Sequence, residues 1–261
     1  MKIVRSIEEL RQARPDGRIG LVPTMGAFHE GHLSLFRAAR GECDVVVVSL
    51  FVNPAQFGAN EDLERYPRDE SRDGKLAEEA GVDVLFVPSA EEMYPDGSGT
   101  WVDVGRAGAE GEARPGHFRG VATICLKLFN IVRPQVAYFG QKDAQQAAVV
   151  GQLVRDLNLE LELRILPTVR DANGLALSSR NAYLRPAERE RALALPRALL
   201  KGRNAFLRGS DPVKTVRAEL NGLEPDYIEL LDVGDARILA AAARVGGTRL
   251  IDNIVLEGEL K

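Results

Sequence analysis

The chain has little of what staples, spans or scaffolds a protein. Its 261 residues include only two cysteines, Cys43 and Cys125. Two are too few for a disulfide framework, and each lies in or beside an apolar segment, so both read as reduced core thiols of a cytoplasmic protein. No apolar stretch approaches the ~18 to 20 residues of a membrane span. Met1–Arg5 lacks the apolar core of a secretory signal, so no membrane partner is expected. The formal net charge of −4 argues against nucleic acid as a main partner. No G-x-x-x-x-G-K-[ST] occurs, and no G-x-G-x-x-G follows a strand, so a nucleotide site must be of another design. Lysine is much scarcer than arginine, a bias that genome composition or a warm habitat explains equally well.

What is present has a clear rhythm. Short apolar runs at Ile19–Val22, Val45–Phe51, Val82–Val87, Val136–Phe139 and Leu161–Leu166 read as buried parallel strands. Helical spacing fills Leu33–Arg40, Glu70–Ala80, Val121–Val132 and Ala144–Leu157. This alternation predicts an α/β fold with helices on both faces of a parallel sheet, and ligands outside the strands' carboxyl ends. Three such ends, at the histidine motif described next, at Phe51-Val52-Asn53-Pro54 and at Gly140-Gln141-Lys142-Asp143, would then face one crevice. After Pro167 the texture changes, and a smaller α+β domain is expected over 168–261, beyond a catalytic domain over 1–167. It would hold one long helix, Pro186 to Leu207, and two strands, Tyr227–Val233 and Arg249–Val255. The Gly- and charge-rich segment Ser98–Gly116 is expected to be a loop or flap.

Only three histidines occur, and two of them lie in Pro23-Thr24-Met25-Gly26-Ala27-Phe28-His29-Glu30-Gly31-His32. A strand that breaks at glycine and enters a helix presents free backbone N–H groups and a positive dipole end to an anion. Two imidazoles there can bind phosphate oxygens and stabilise charge that grows in phosphoryl or nucleotidyl transfer. A zinc protease would need H-E-x-x-H, with its histidines four apart rather than three, and a third ligand. The bland alternative is a pair of turn and cap residues satisfied by backbone.

Other residues suit the same chemistry. Lys142 supplies a point charge for phosphates, and Asp143 can accept from ribose hydroxyls. Ser178-Ser179-Arg180 combines two hydroxyls, consecutive N–H groups and a guanidinium, a set fit for triphosphate oxygens. Gln56 and Gln146 are neutral amides able to orient a small polar substrate.

Six motifs fall in order: Pro-Thr-Met-Gly-x-x-His-x-Gly-His; Phe51-Val52-Asn53-Pro54-Ala55-Gln56-Phe57; Tyr66-Pro67-Arg68; Arg114-Pro115-Gly116-His117-Phe118; Gly140-Gln141-Lys142-Asp143-Ala144-Gln145-Gln146; and Leu177-Ser178-Ser179-Arg180-Asn181. Together, and ending in Arg249-Leu250-Ile251-Asp252-Asn253, they resemble the pantoate–β-alanine ligase (pantothenate synthetase) family. The resemblance implies a Rossmann-like domain of nucleotidyltransferase type, a smaller lid-like C-terminal domain and a homodimer. It also implies condensation of (R)-pantoate with β-alanine through a pantoyl adenylate, using ATP and Mg²⁺. By position, ATP would be held by Met25, Gly26, Ala27, Phe28, His29, Glu30, Gly31 and His32. Gly140, Gln141, Lys142, Asp143, Val169, Leu177, Ser178, Ser179 and Arg180 would complete its site. His32, His29, Lys142 and Arg180 would act in catalysis, and Gln56 and Gln146 would hold pantoate.

Departures from the family pattern are Gln141 where Glu is common, Ala144 where an aromatic is common, and Leu177 for Met. Arg72, beside Asp73, stands where some relatives carry an acidic residue near the metal. No side-chain metal ligand is therefore assigned, and the phosphates are expected to hold the ion. Rival readings are another nucleotidyltransferase or adenylate-forming enzyme, a class I aminoacyl-tRNA synthetase, and a catalytically silent nucleotide-binding regulator.

Overall fold

The computed structural model describes residues 1–13, 16–59, 61–105, 108–220 and 222–260. The chain divides into two compact units. One comprises Met1–Arg106, Arg114–Phe139 and Val149–Arg164, and the other Ala107–Ala113, Gly140–Ala148 and Ile165–Lys261.

The first unit is built on β1 (Lys2–Val4), β2 (Ile19–Thr24), β3 (Val45–Leu50), β4 (Val84–Phe86), β5 (Val136–Gly140) and β6 (Glu162–Leu166). Their order in the sheet is β1-β4-β3-β2-β5-β6. The β1–β4, β4–β3, β3–β2 and β2–β5 pairs are all parallel, as the alternation of strands and helices predicts. Leu21, Val22, Val46, Val48, Leu85 and Ala137 are fully buried, which is why these strands read as unbroken apolar runs. Helices α1 (Ile7–Ala13), α2 (Glu30–Glu42), α3 (Glu70–Glu79), α4 (Ala90–Met93) and α6 (His117–Val132) belong to this unit, and α7 (Ala144–Asp156) continues into it from the other. Phe28 and Phe36 meet edge to face with centroids 5.1 Å apart and lock α2 to the core.

The second unit centres on an antiparallel sheet, β7 (Glu224–Val233), β8 (Ala236–Val245) and β9 (Thr248–Glu257), in that order. Two-residue connections at Gly234-Asp235 and Gly246-Gly247 join the strands, and Gly234 (φ 60°) and Gly246 (φ 59°) take the left-handed conformation that such hairpins require. Leu195, Leu199, Val216, Leu239 and Leu250 form its core, beneath α9 (Ala194–Leu207) and α10 (Pro212–Glu219).

Three expectations are corrected. The single helix over Pro186–Leu207 is two, α8 (Pro186–Ala192) and α9. Pro196 has no N–H to give the Ala192 carbonyl and its ring crowds that oxygen, so the helix restarts. The segment Ser98–Gly116 is not all loop, because Gly108–Ala113 forms α5. Residues 106 and 107 of that segment lie outside the described residues. The C-terminal part has three strands, and the one not anticipated, β8, is the middle one.

At the start of α8, Glu188 accepts from the Arg185 backbone N–H at 3.0 Å and from its guanidinium at 2.8 Å. These bonds pull the Glu188 carboxyl down to about 2. A lowered carboxyl pKa stabilises the fold above the unfolded value and loses that contribution as pH falls through the folded one. Thermal melts of Glu188→Gln should therefore show a deficit against wild type at neutral pH that closes as pH approaches about 2. A deficit independent of pH would remove the charge from the effect.

Candidate active site

The histidine loop begins where β2 ends. Thr24 Oγ1 donates to the Ser49 carbonyl on neighbouring β3 at 2.6 Å, which ties down the last strand residue. Gly26 (φ 86°) and Ala27 (φ 53°) then turn the chain in the left-handed region. For alanine that conformation costs about 1–2 kcal/mol. It is held by Asp73 of α3, whose Oδ2 accepts from Ala27 N–H at 2.7 Å and Oδ1 from Phe28 N–H at 2.8 Å. Asp73 is 1% exposed. Burial pushes its carboxyl above the ordinary range, against the opposing pull of the two amides and of Arg72.

His29 is the N-cap of α2. Its Nδ1 accepts from Gly31 N–H at 3.1 Å, and His29 N–H in turn points at His32 Nδ1 at 3.4 Å. The two imidazoles thus form a reciprocal capping box, the arrangement Ser and Glu usually supply, with ring centroids 4.2 Å apart. Since each Nδ1 is an acceptor, the hydrogen-bond pattern assigns the proton of each neutral ring to Nε2. Cap and chemistry are therefore compatible: one nitrogen shapes the helix start and the other is a donor.

Gln56 ends a 3-10 turn, Pro54–Gln56, just beyond β3. Its Oε1 accepts from Asn53 Nδ2 at 3.1 Å and its Nε2 meets Met25 Sδ at 3.0 Å, so its amide is oriented against the histidine loop. Asn53 is the organiser here. Its Oδ1 accepts from Ala55 N–H and from Tyr94 Oη at 3.0 Å, and its Nδ2 also reaches the Gly120 carbonyl at 3.2 Å. The third histidine supports the same turn, for His117 Nδ1 lies 2.8 Å from the Gln56 carbonyl and Nε2 lies 3.0 Å from Arg114 Nη1. A neutral His117 fits both contacts by donating from Nδ1 and accepting at Nε2. Arg114 grips Glu61 in a fork of 2.7 and 2.6 Å. Burial would raise the Glu61 carboxyl, but the Arg114 bonds and charge prevail and hold it below its usual value.

In the second unit, Gln141–Asp143 forms a 3-10 turn after Gly140, with Lys142 Nζ 3.5 Å from Asp143 Oδ1. Gln146 lies half-buried in the first turn of α7. Val169 and Leu177 are joined by a 2.9 Å bond from Leu177 N–H to the Val169 carbonyl, which closes the Asp171-Ala172-Asn173-Gly174 turn. Ser178 caps the following 3-10 turn, Ser179–Tyr183, by accepting from Arg180 N–H at 3.3 Å. The expected residues thus gather in two sets: Met25–His32 with Gln56 in the first unit, and Gly140–Asp143, Gln146, Val169 and Leu177–Arg180 in the second.

Among the described residues, no three His, Cys, Asp or Glu side chains come together as a metal set. Both Asp73 oxygens are already committed to backbone amides. Sequence reading missed Asp73 and Asn53 as organisers. The signal for Asp73 was spatial, a carboxylate over forty residues from the loop it holds. Asp73→Asn leaves one loop amide facing an NH₂ group. It is expected to lower kcat by roughly tenfold to a hundredfold, with Tm falling only by about 4 °C or less. An unchanged kcat would mean the loop keeps its shape unaided.

The family model described as pantoate-beta-alanine ligase matches residues 2–255. Pantothenate synthetase of Heliobacterium modesticaldum is 52% identical over 280 residues, covering 98% of this chain and all of the relative. Among solved structures, pantothenate synthetase of Thermus thermophilus superposes with a TM-score of 0.94 at 45% identity, over 99% of this chain and 100% of that one. The pantoate-beta-alanine ligase of Francisella tularensis, complexed with beta-gamma ATP and beta-alanine, gives a TM-score of 0.86 at 36% identity over 99% of each chain. The Rossmann-like parallel sheet is thus shared with solved pantothenate synthetases, and the chain belongs to the pantoate–β-alanine ligase family.

Proposed function

We propose that the chain condenses (R)-pantoate with β-alanine at the expense of ATP, releasing AMP and pyrophosphate. The observation that carries this reading is the histidine-capped start of α2, where Nδ1 of each ring accepts from backbone, a pattern that for a neutral ring places the proton on Nε2. In the first step a pantoate carboxylate oxygen bonds to the ATP α-phosphorus. The bond from that phosphorus to the bridging oxygen breaks, and pyrophosphate leaves with the electron pair. In the second step the β-alanine amine attacks the acyl carbon of the adenylate, AMP departs, and the amine gives up a proton to solvent or base.

Both steps are problems of developing charge, so fixed donors and positioning can supply most of the acceleration without a covalent enzyme intermediate. His29 and His32 donate to phosphate oxygens, and the positive end of α2 adds to their effect. Gln56 orients pantoate through an amide already fixed by Asn53, and Gln146 serves the same substrate. Lys142 neutralises phosphate charge, Asp143 accepts from ribose, the Val169 backbone meets adenine, and Leu177–Arg180 take the β- and γ-phosphates. No side chain of this protein is assigned to magnesium, which would enter with the nucleotide and help neutralise phosphate charge. A split near residue 167 into a catalytic part and a lid would leave 107–113 and 140–148, which belong to the second compact unit, on the catalytic side; the protein would act as a cytoplasmic homodimer without nucleic-acid or membrane partners.

The test is pyrophosphate release from MgATP with pantoate alone, followed by AMP formation after β-alanine is added. Pyrophosphate in the first stage and sustained turnover only in the second is the expected result. Silence in both with ATP bound would assign the chain to another carboxylate or to a silent regulator. AMP release dependent on tRNA would assign it to the synthetase reading.

A further inference from the structure

The Ile251-Asp252-Asn253 segment of β9 carries polar side chains that the proposed chemistry does not use, yet Asp252 and Asn253 are only 3% and 1% exposed. Asn253 Nδ2 donates to two successive carbonyls, those of Gln141 at 2.8 Å and Lys142 at 2.9 Å. Its Oδ1 accepts from Gln141 Nε2 at 3.0 Å. Three bonds from one planar amide fix the peptide groups on either side of Lys142, and with them the direction in which its side chain leaves the backbone. The turn has no side-chain cap of its own. The Gln141 amide can donate to Asn253 Oδ1 where an ionised carboxylate at that position could not, so the identity of residue 141 adds a bond.

Asn253 is itself held. Asp252 Oδ1 accepts from Asn253 N–H at 2.8 Å, and the Asp252 carboxylate takes a bidentate fork from Arg170 at 2.7 and 2.9 Å. Arg170 also reaches the Asn253 carbonyl at 3.2 Å and the Gly174 carbonyl at 3.1 Å, and it bridges to Ala176 within the hairpin that links Val169 to Leu177. One buried pair on a C-terminal strand thus fixes two segments assigned to the nucleotide.

We propose that Asn253, backed by Asp252 and Arg170, is a positioning residue that aims Lys142 at the triphosphate. This rests on the ATP-dependent reading above. Because Asn253 acts through the Lys142 turn, its removal should matter only while Lys142 is there to be aimed.

The experiment is a double-mutant cycle on the full chain, with MgATP binding measured by calorimetry without pantoate. Asn253→Ala should weaken binding by about tenfold or more, and Lys142→Ala likewise. The double variant should bind within about twofold of Lys142→Ala alone, the non-additivity expected of groups that act as a unit. Asn253→Asp, equal in size but presenting an oxygen to two carbonyls, should weaken binding at least as much as Asn253→Ala. A space-filling role would leave it intact. If the alanine variant melts below the assay temperature, Asn253→Ser keeps one donor and the same cycle is run with it.

Losses that multiply, an Asn253→Ala Kd within twofold of wild type, or full binding by Asn253→Asp would each overturn the proposal. Wild type that binds ATP but releases no pyrophosphate with pantoate would remove adenylation alone, and the binding cycle would still decide this point. Wild type that fails to bind ATP would overturn both.

Discussion

Replacing His32 with alanine should cut the rate of pantoate-dependent pyrophosphate release by about 10²–10³-fold, the usual loss for one donor aimed at transition-state charge. The KM for ATP should change far less. The distinction follows from where the negative charge grows: under the proposed mechanism Nε2–H meets a phosphate oxygen in the ground state, and that oxygen becomes a stronger acceptor as the adenylate forms. An interaction that strengthens along the reaction lowers kcat when removed, whereas one constant throughout raises KM. His32 Nδ1 also faces His29 N–H at 3.4 Å, so some loss of cap is built into the variant. At that length the contact is weak, and a cap is worth about 1 kcal/mol in any case. Tm should fall modestly while kcat collapses. Unchanged kcat would take His32 out of the chemistry.

Gly120→Ala should be nearly as damaging for a purely steric reason. A Cβ at position 120 of α6 would lie 2.3 Å from the Ala55 carbonyl oxygen, 2.5 Å from its carbon and 2.7 Å from Gln56 Cα. All three are backbone atoms that cannot rotate away, so α6 and the Pro54–Gln56 turn must part by about 1 Å to reach ordinary contact. That separation breaks the Asn53 bond to the Gly120 carbonyl and displaces Gln56. The expected cost is about 1–3 kcal/mol of stability, together with a rise in pantoate KM and up to about 10²-fold loss of kcat. The ATP KM should stay nearly constant, because the turn is proposed to hold the other substrate. Steady-state kinetics in each substrate, with a thermal melt, check both halves. A variant with wild-type pantoate KM would separate Gln56 from pantoate.

Much of the fold was legible because buried parallel strands leave a strong mark: Val45–Val48 is apolar at every position. The histidine motif was legible for a similar reason, since rare residues crowd into ten positions. β8 was not legible. Its Ala240–Ala243 run carries high helix propensity, and it becomes a strand because it is the middle strand, hydrogen-bonded on both sides and packed beneath α9. β1 is three residues long and pairs with β4 some eighty positions later, a partner no local pattern announces. The site divides in the same way. The residues proposed to face substrate stand in recognisable strings, but Asp73 and Asn253 act on backbone atoms over forty and a hundred residues away. Their effect is a property of topology rather than of any neighbouring sequence.

The second unit draws on three separate stretches of chain, and this limits what can be cut from or traded between relatives. A fragment starting at residue 168 would carry Arg249 without Glu110, which forks it at 2.9 and 2.8 Å. Asn253 would likewise lose the two carbonyls it now satisfies. Arg249 would keep its 2.6 Å bond to Asp226, but each side chain gives up hydrogen bonds worth about 0.5–1.5 kcal/mol, or about 1.5–3 kcal/mol where a charged group is involved. The unit is therefore not a cassette. Recombination between homologous genes would have to exchange residues 107–113, 140–148 and 165–261 together to pass it on whole, so a single crossover near residue 167 would produce a mismatched chimera.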